Sequence, residues 1–266
     1  MNRAPIGIFD SGIGGLTVAR AIYERLPHES TIYFGDTARV PYGPKSPETV
    51  KRYSLEILRW LLDQKVKAVV IACNTSTAHA LRTLQEATAV PVLGVIKPGA
   101  RAAIDAGREG PIGVIGTAGT IASDAYNRAI QALAPGVSVI QRACPLFVPL
   151  VEEGWFDHPA TELVAADYLR ELREACVRSL VLGCTHYPLL KPLLHRVMGP
   201  EVRLIDSGQA TAAALEAILI EKGLDAPPGG KAGHRFVVSD DEARFRQVGS
   251  RFIGERLRKA EVVPLG

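Results

Sequence analysis

Two stretches of this chain follow one plan, an apolar run ending in a cysteine that is flanked by small polar residues. Val66-Lys67-Ala68-Val69-Val70-Ile71 runs into Ala72-Cys73-Asn74-Thr75, and Val177-Arg178-Ser179-Leu180-Val181-Leu182 runs into Gly183-Cys184-Thr185-His186. Short runs rich in Val, Ile and Leu read as strands buried on both faces of a parallel sheet, and parallel strands need a crossover, usually a helix, between them. An upstream pair extends the match. Ile6-Gly7-Ile8-Phe9-Asp10-Ser11-Gly12 resembles Ile112-Gly113-Val114-Ile115-Gly116-Thr117-Ala118, each roughly 60–65 residues ahead of its cysteine strand. A repeat of roughly 110 residues is far longer than a solenoid period, so it predicts two similar lobes rather than an array.

Strand-like and helix-like segments alternate along the chain as that plan requires. Strands are expected at 6–10, 30–34, 66–72, 90–95, 111–116, 137–141, 179–183, 203–205, 234–238 and 261–264. Helices are expected at 16–26, 47–64, 77–87, 99–106, 121–132, 161–175, 189–198 and 210–221, and 225–230 reads as a loop. The fold class is therefore α/β, with two similar lobes, each an open and mostly parallel sheet flanked by helices, and an active site in the cleft between them. The first lobe is expected to be discontinuous, residues 1–97 and 207–266, with 98–206 forming the second.

Composition narrows the function. Of 266 residues, 47% are hydrophobic, enough to bury cores of ordinary domain size. A net charge of +3 with scattered basic residues gives no nucleic-acid stripe, and Arg256-Leu257-Arg258-Lys259, the densest basic run, reads as a solvated helix face. No apolar stretch approaches the roughly 20 residues that span a bilayer, so no membrane partner is expected. The N-terminus enters a strand almost directly, without a charged-then-apolar leader, and four cysteines are too few for a disulfide scaffold; both predict a cytoplasmic chain with reduced thiols.

The four cysteines fall into two classes. Cys144 and Cys176 sit in apolar or helical settings and read as buried small hydrophobes. Cys73 and Cys184 precede helix starts, where aligned N–H groups stabilise a thiolate and lower its pKa. Thr75 and Thr185 either cap those helices or bind a carboxylate through their hydroxyls. His186 stands two residues from Cys184 and is a candidate partner for its proton. His28, His79, His158, His195 and His234 have no such company and read as surface or packing residues. No local pair has the usual metal-ligand spacing, so no metal is expected.

Asp10-Ser11-Gly12-Ile13-Gly14-Gly15 lies at a strand-to-helix junction. Its spacing is neither G-x-G-x-x-G nor a P-loop, and an acidic residue at its mouth repels phosphate. A small carboxylate ligand near Ser11, with Asp10 handling a proton or orienting a group, fits better. Gly35-Asp36-Thr37-Ala38-Arg39-Val40-Pro41-Tyr42-Gly43 reads equally as a substrate lid or an ordinary connection. Glu152 lies in an otherwise apolar stretch; surface exposure is its default reading, and entry into the cleft is the alternative.

Papain-like catalysis needs one thiol, and disulfide exchange usually has C-x-x-C spacing; neither explains two equivalent cysteine segments. Removal of a proton from one face of a carbon and return to the other explains the duplication directly. No sequence signal for pyridoxal phosphate or a nucleotide accompanies these thiols, so no cofactor is expected. Charge on the carbon must then be stabilised by Ser11, Asn74, Thr75, Thr185 and helix N-termini, each well-placed donor contributing about 3–4 kcal/mol.

Six segments together carry a specific resemblance: Asp10 to Gly15, Gly35 to Gly43, Ala72 to Thr75, Gly94-Val95-Ile96-Lys97-Pro98-Gly99, Gly183-Cys184-Thr185-His186-Tyr187-Pro188 and Phe236-Val237-Val238-Ser239. Across nearly its whole length the chain resembles the glutamate racemases of the aspartate/glutamate racemase superfamily. The resemblance implies cofactor-independent interconversion of L- and D-glutamate, supplying D-glutamate for peptidoglycan. It implies that Cys73 handles the proton on the D side and Cys184 that on the L side, assisted by Asp10 and His186 respectively, with Glu152 a further contributor. Ser11, Tyr42, Gly43, Asn74, Thr75, Thr185 and His186 would contact substrate, the repeat adds Thr117, and Asp10 belongs to the same set. Homodimers are common in the family. Aspartate as substrate, or a carboxylate-binding protein without catalysis, are the competing readings.

Overall fold

The computed structural model describes residues 2–106, 110–229 and 232–265. β1 (Ile6–Asp10) leads to α1 (Leu16–Arg25), and β2 (Thr31–Gly35) leads through a 3₁₀ turn to α2 (Pro47–Asp63). β3 (Ala68–Ile71) is followed by α3 (Asn74–Glu86), and β4 (Val92–Gly94) by α4 (Ile96–Asp105). β5 (Ile112–Gly116) precedes α5 (Ala118–Ala122) and α6 (Ala125–Leu133). β6 (Val139–Ala143) precedes α7 (Phe147–Glu152), α8 (Pro159–Tyr168) and α9 (Arg170–Glu174). β7 (Ser179–Gly183) runs through a 3₁₀ turn at Tyr187–Leu190 to α10 (Lys191–Met198), and β8 (Arg203–Ile205) to α11 (Gly208–Glu221). β9 (His234–Val238), α12 (Glu242–Ile253) and β10 (Glu261–Val262) close the order.

The strands form two sheets, ordered β10-β9-β2-β1-β3-β4 and β6-β5-β7-β8, and every pair is parallel. The run β2-β1-β3-β4 and the run β6-β5-β7-β8 have the same internal order, so β1 corresponds to β5 and β3 to β7. Those are the strands that carry the matched sequences. Strand alternation sorts side chains onto two faces. Phe9, Val69 and Ile71 pack with Ile57, Leu58 and Leu61 of α2, while Ile8 and Val70 join a cluster that continues through Leu180 and Leu182 into the second lobe. A third cluster sets Val114 and Val181 against Ala100 and Ala103 of α4 and Ile130 of α6. Apolar packing therefore runs unbroken between the sheets and holds their strand ends in one place.

Several expected elements are corrected. Helices begin at Asn74 and Ile96 rather than 77 and 99; for α3 the earlier start follows from Cys73, which caps the helix with its own sulfur. The helix expected over 121–132 is broken where Asp124 takes a left-handed φ of 55°, and the one over 161–175 is divided at Leu169. The region after 222 contains α12, whose Phe245, Val248, Gly249, Phe252 and Ile253 repeat at helical spacing and are buried. Arg256 to Lys259 is not a helix face: a 3₁₀ turn ends at Arg256, and Leu257 is buried in the core. Residues 225–229 are irregular or turn, and Gly230 lies outside the described residues. Among the described residues no helix is long and apolar enough to cross a membrane.

Candidate active site

The carboxyl ends of β1, β3, β5 and β7 meet in one place. Ala72 extends β3 by donating its N–H to Phe9 O at 2.8 Å, and Cys73 then turns into α3, where its Sγ accepts the Ser76 N–H at 3.4 Å. Cys184 leaves β7 and enters a turn in which Tyr187 N–H donates to Cys184 O at 3.2 Å. The expected helix start after Cys184 is instead this turn and a 3₁₀ segment, so no α-helix N-terminus supports that sulfur. His186 takes its place, with Nδ1 3.9 Å from Cys184 Sγ.

Both thiols line one narrow cavity. Ser11, Tyr42, Gly43, Asn74, Thr75, Thr117, Thr185 and His186 line it with them, and Val40, Pro41 and Val148 complete the wall. Val148 gives no chemical signal in sequence. Its place inside α7 is what brings it there. Among the described residues the lining holds no lysine or arginine, so an anion here is met by hydroxyls and amides. A larger groove, about 1450 Å³, runs between α4 and α11, but it is lined mainly by alanine and aliphatic carbon and holds no thiol or imidazole. Among the described residues no group of three His, Cys, Asp or Glu side chains is arranged to hold a metal ion.

The two lobes bond to each other around the cavity. Thr75 Oγ1 lies 2.9 Å from Thr117 Oγ1, Gly119 N–H donates to Gly43 O at 2.9 Å, and Tyr126 OH donates to Asn74 Oδ1 at 2.7 Å. Gly14 presses on the second lobe so closely that a Cβ there would lie 2.4 Å from Thr185 Oγ1.

Asp10 is fully buried and is absent from the cavity lining. Its Oδ2 accepts the Gly12 N–H at 3.0 Å and its Oδ1 accepts the Thr185 hydroxyl at 3.2 Å, so the loop folds around its own carboxylate. Burial pushes its pKa up, against the opposing pull of His186. Glu152 is not a freely exposed surface residue. It ends α7, and its Oε1 lies 3.1 Å from His186 Nε2, on the side of the imidazole away from Cys184. It lines a neighbouring cavity with Arg244 and Asp241 rather than the one that holds the thiols.

The expected lowering of the Cys73 pKa by its helix is reversed: burial, then the charge of Asp10, push the thiol up to about 12, and the Ser76 contacts only partly offset them. For His186 burial acts downward, but its bonds to Cys184 and Glu152 prevail and push it up to about 10. Burial raises the Glu152 pKa and the bond to His186 lowers it, with a net fall. Cys144 is buried as expected, while Cys176 is exposed at a left-handed turn between α9 and β7, contrary to the packing role expected for it.

Comparison with known proteins adds an independent finding. Residues 16–215 match the family model described as Asp/Glu/Hydantoin racemase. The chain is 56% identical over 252 residues to a glutamate racemase of Geobacter metallireducens, covering 95% of this chain and 93% of that one. It is similar in structure to a glutamate racemase isoform of Bacillus anthracis (TM-score 0.93, 40% identity, 100% and 98% coverage). It is equally similar to the Francisella tularensis glutamate racemase solved with D-glutamate (TM-score 0.93, 39% identity, 100% and 99% coverage).

Proposed function

The chain belongs to the Asp/Glu/Hydantoin racemase family, and from that premise we propose that it interconverts L- and D-glutamate by proton transfer between Cys73 and Cys184. The observation that carries the two-thiol mechanism is that two cysteines from corresponding positions of two sheets line a single cavity. The His186 imidazole stands beside Cys184, and burial and Asp10 favour the neutral Cys73 thiol. On this reading one sulfur acts as base and the other as acid. Cys184 thiolate removes the α-proton of L-glutamate, and Cys73 delivers its proton to the opposite face. The reverse reaction exchanges the roles.

Removing a proton beside a carboxylate leaves negative charge on that carboxylate's oxygens. Ser11, Thr75, Thr117 and Thr185 hydroxyls and the Asn74 amide supply donors, and a cavity closed to water strengthens each of them. Asp10 acts from beneath, through Thr185 and through its charge on Cys73. Glu152 acts through His186. Entry and exit of glutamate require the lobes to part, breaking the Thr75–Thr117, Gly119–Gly43 and Tyr126–Asn74 bonds. On this reading the lobes divide as 1–97 with 207–266 against 98–206, and the two connections form the hinge.

The same reading assigns the protein to the cytoplasm, as a source of D-glutamate for peptidoglycan and as a homodimer. Complementation of a D-glutamate auxotroph and light scattering test those assignments. The decisive experiment for the reaction is turnover in D₂O followed by chiral analysis and mass spectrometry. Racemisation with deuterium at the α-carbon is expected. Optical change with aspartate but not glutamate, or no solvent isotope in the product, would refute it.

A further inference from the structure

The motif ending at Ser239 lies outside the surroundings of both thiols, yet it reaches the loop that walls their cavity. Ser239 follows β9 directly, is 4% exposed, and continues the β2–β9 pairing by donating its N–H to Gly35 O at 3.0 Å. Its Oγ accepts the Ala38 N–H at 2.8 Å and donates to Asp36 Oδ1 at 2.8 Å. Asp36 is fully buried, with Arg39 Nε 3.0 and 2.7 Å from its two oxygens and the Tyr42 hydroxyl donating to Oδ2. The Tyr42 hydroxyl is therefore committed to Asp36. Tyr42 packs in one apolar cluster with Cys73, and Tyr42 and Gly43 both line the cavity.

We infer that Ser239 is a positioning residue for the racemase reaction, holding Asp36 and Ala38 so that Tyr42 and Gly43 are set against the substrate. The inference rests on the proposed reaction for its kinetic consequence but not for its structural one. Removing the hydroxyl leaves the Ala38 N–H without its acceptor and the Asp36 carboxylate one donor short, and buried groups left in that state relax the segment that holds them. Gly43 also accepts the bond from Gly119 of the other lobe, so the same loop sets how the cavity closes.

The test uses the full chain with Ser239→Ala, Ser239→Thr and Tyr42→Phe. Hydrogen exchange over residues 36–43 is expected to quicken about tenfold in Ser239→Ala and to return to within about threefold of the parent in Ser239→Thr. This readout needs no turnover, so it stands even if glutamate is not the substrate. With glutamate, Ser239→Ala is expected to raise KM about tenfold while kcat stays within about threefold. Tyr42→Phe is expected to act through the same carboxylate, so the double variant falls well short of the product of the single losses. Unchanged exchange over 36–43, an unchanged KM, equal impairment by Ala and Thr, or fully multiplicative losses would each overturn the assignment. If Ser239→Ala does not fold, Ser239→Cys, a weak donor of similar shape, must show the same exchange and KM changes.

Discussion

At the end of β1 stands Asp10, a buried carboxylate, and at the matching end of β5 stands Gly116, with no side chain. Two residues beyond the first thiol is Thr75, and two beyond the second is His186. The lobes therefore share a frame and differ in the groups that govern the proton. The charged groups near the sulfurs are drawn from different places: Asp10 at a strand end for Cys73, and His186 of its own turn, bonded to Glu152 of α7, for Cys184. A negative neighbour favours a neutral thiol, and a positive one favours a thiolate. Duplication thus supplies two thiols lining one space, and the departure from symmetry sets a carboxylate near one and an imidazole beside the other.

The most severe way to break the comparison is to delete either sulfur. Cys73→Ala and Cys184→Ala are each expected to lower racemisation by at least ~10³-fold, within the range of general acid–base catalysis, with circular dichroism unchanged. Near-normal turnover in either would end the two-thiol account. Replacing the cation is next: His186→Asn is expected to lower kcat/KM about 10²-fold, equally in both directions because the two enantiomers are of equal energy, while kcat alone falls more in the L-to-D direction, where Cys184 must act as base. An equal fall of kcat in the two directions would place His186 in a general packing role instead. A milder probe leaves the sequence alone. At neutral pH, iodoacetamide should modify Cys73, whose thiol is held neutral by burial and Asp10, about tenfold more slowly than Cys184, read peptide by peptide, because the thiolate is the reactive form. Comparable rates would show that Cys73 is not held in the neutral form.

The smallest effect concerns Glu152. Its bond to His186 is one of the causes that hold the imidazolium to about pH 10, opposing burial. Glu152→Gln lowers the His186 pKa, so as pH rises the imidazolium is lost sooner and the alkaline limb of activity moves to lower pH. A several-fold loss of rate at pH 8 is expected to go with that movement. A pH profile identical to the parent would remove Glu152 from the relay.

The frame was legible because its signals are local. β1, β7, β8 and β9 lie where the apolar runs place them, and both thiols are recognisable from their polar neighbours at strand ends. What escaped was set by distance or by burial. Glu152 meets His186 through a helix that reads only as apolar sequence, and the Tyr126 hydroxyl reaches Asn74 across the cleft. Cys73 shows how a local rule loses to its surroundings. Its sulfur does accept an N–H at the start of α3, as expected, but helix-end stabilisation is typically 0.3–1 kcal/mol, up to about 2 in partly buried sites, and burial beside Asp10 outweighs it. α12 is a different case, since its apolar spacing is regular.

The order of the larger sheet has a consequence for biosynthesis. β9 pairs with β2, so the outer half of that sheet closes only after the whole second lobe has been translated. Roughly 200 residues separate the partners, which at about 5–20 residues per second means about ten to forty seconds on the ribosome with β2 lacking its outer neighbour. During that interval the nascent chain carries an open sheet edge, a template for pairing with any other emerging strand. The portion of the molecule made first is the last to be finished.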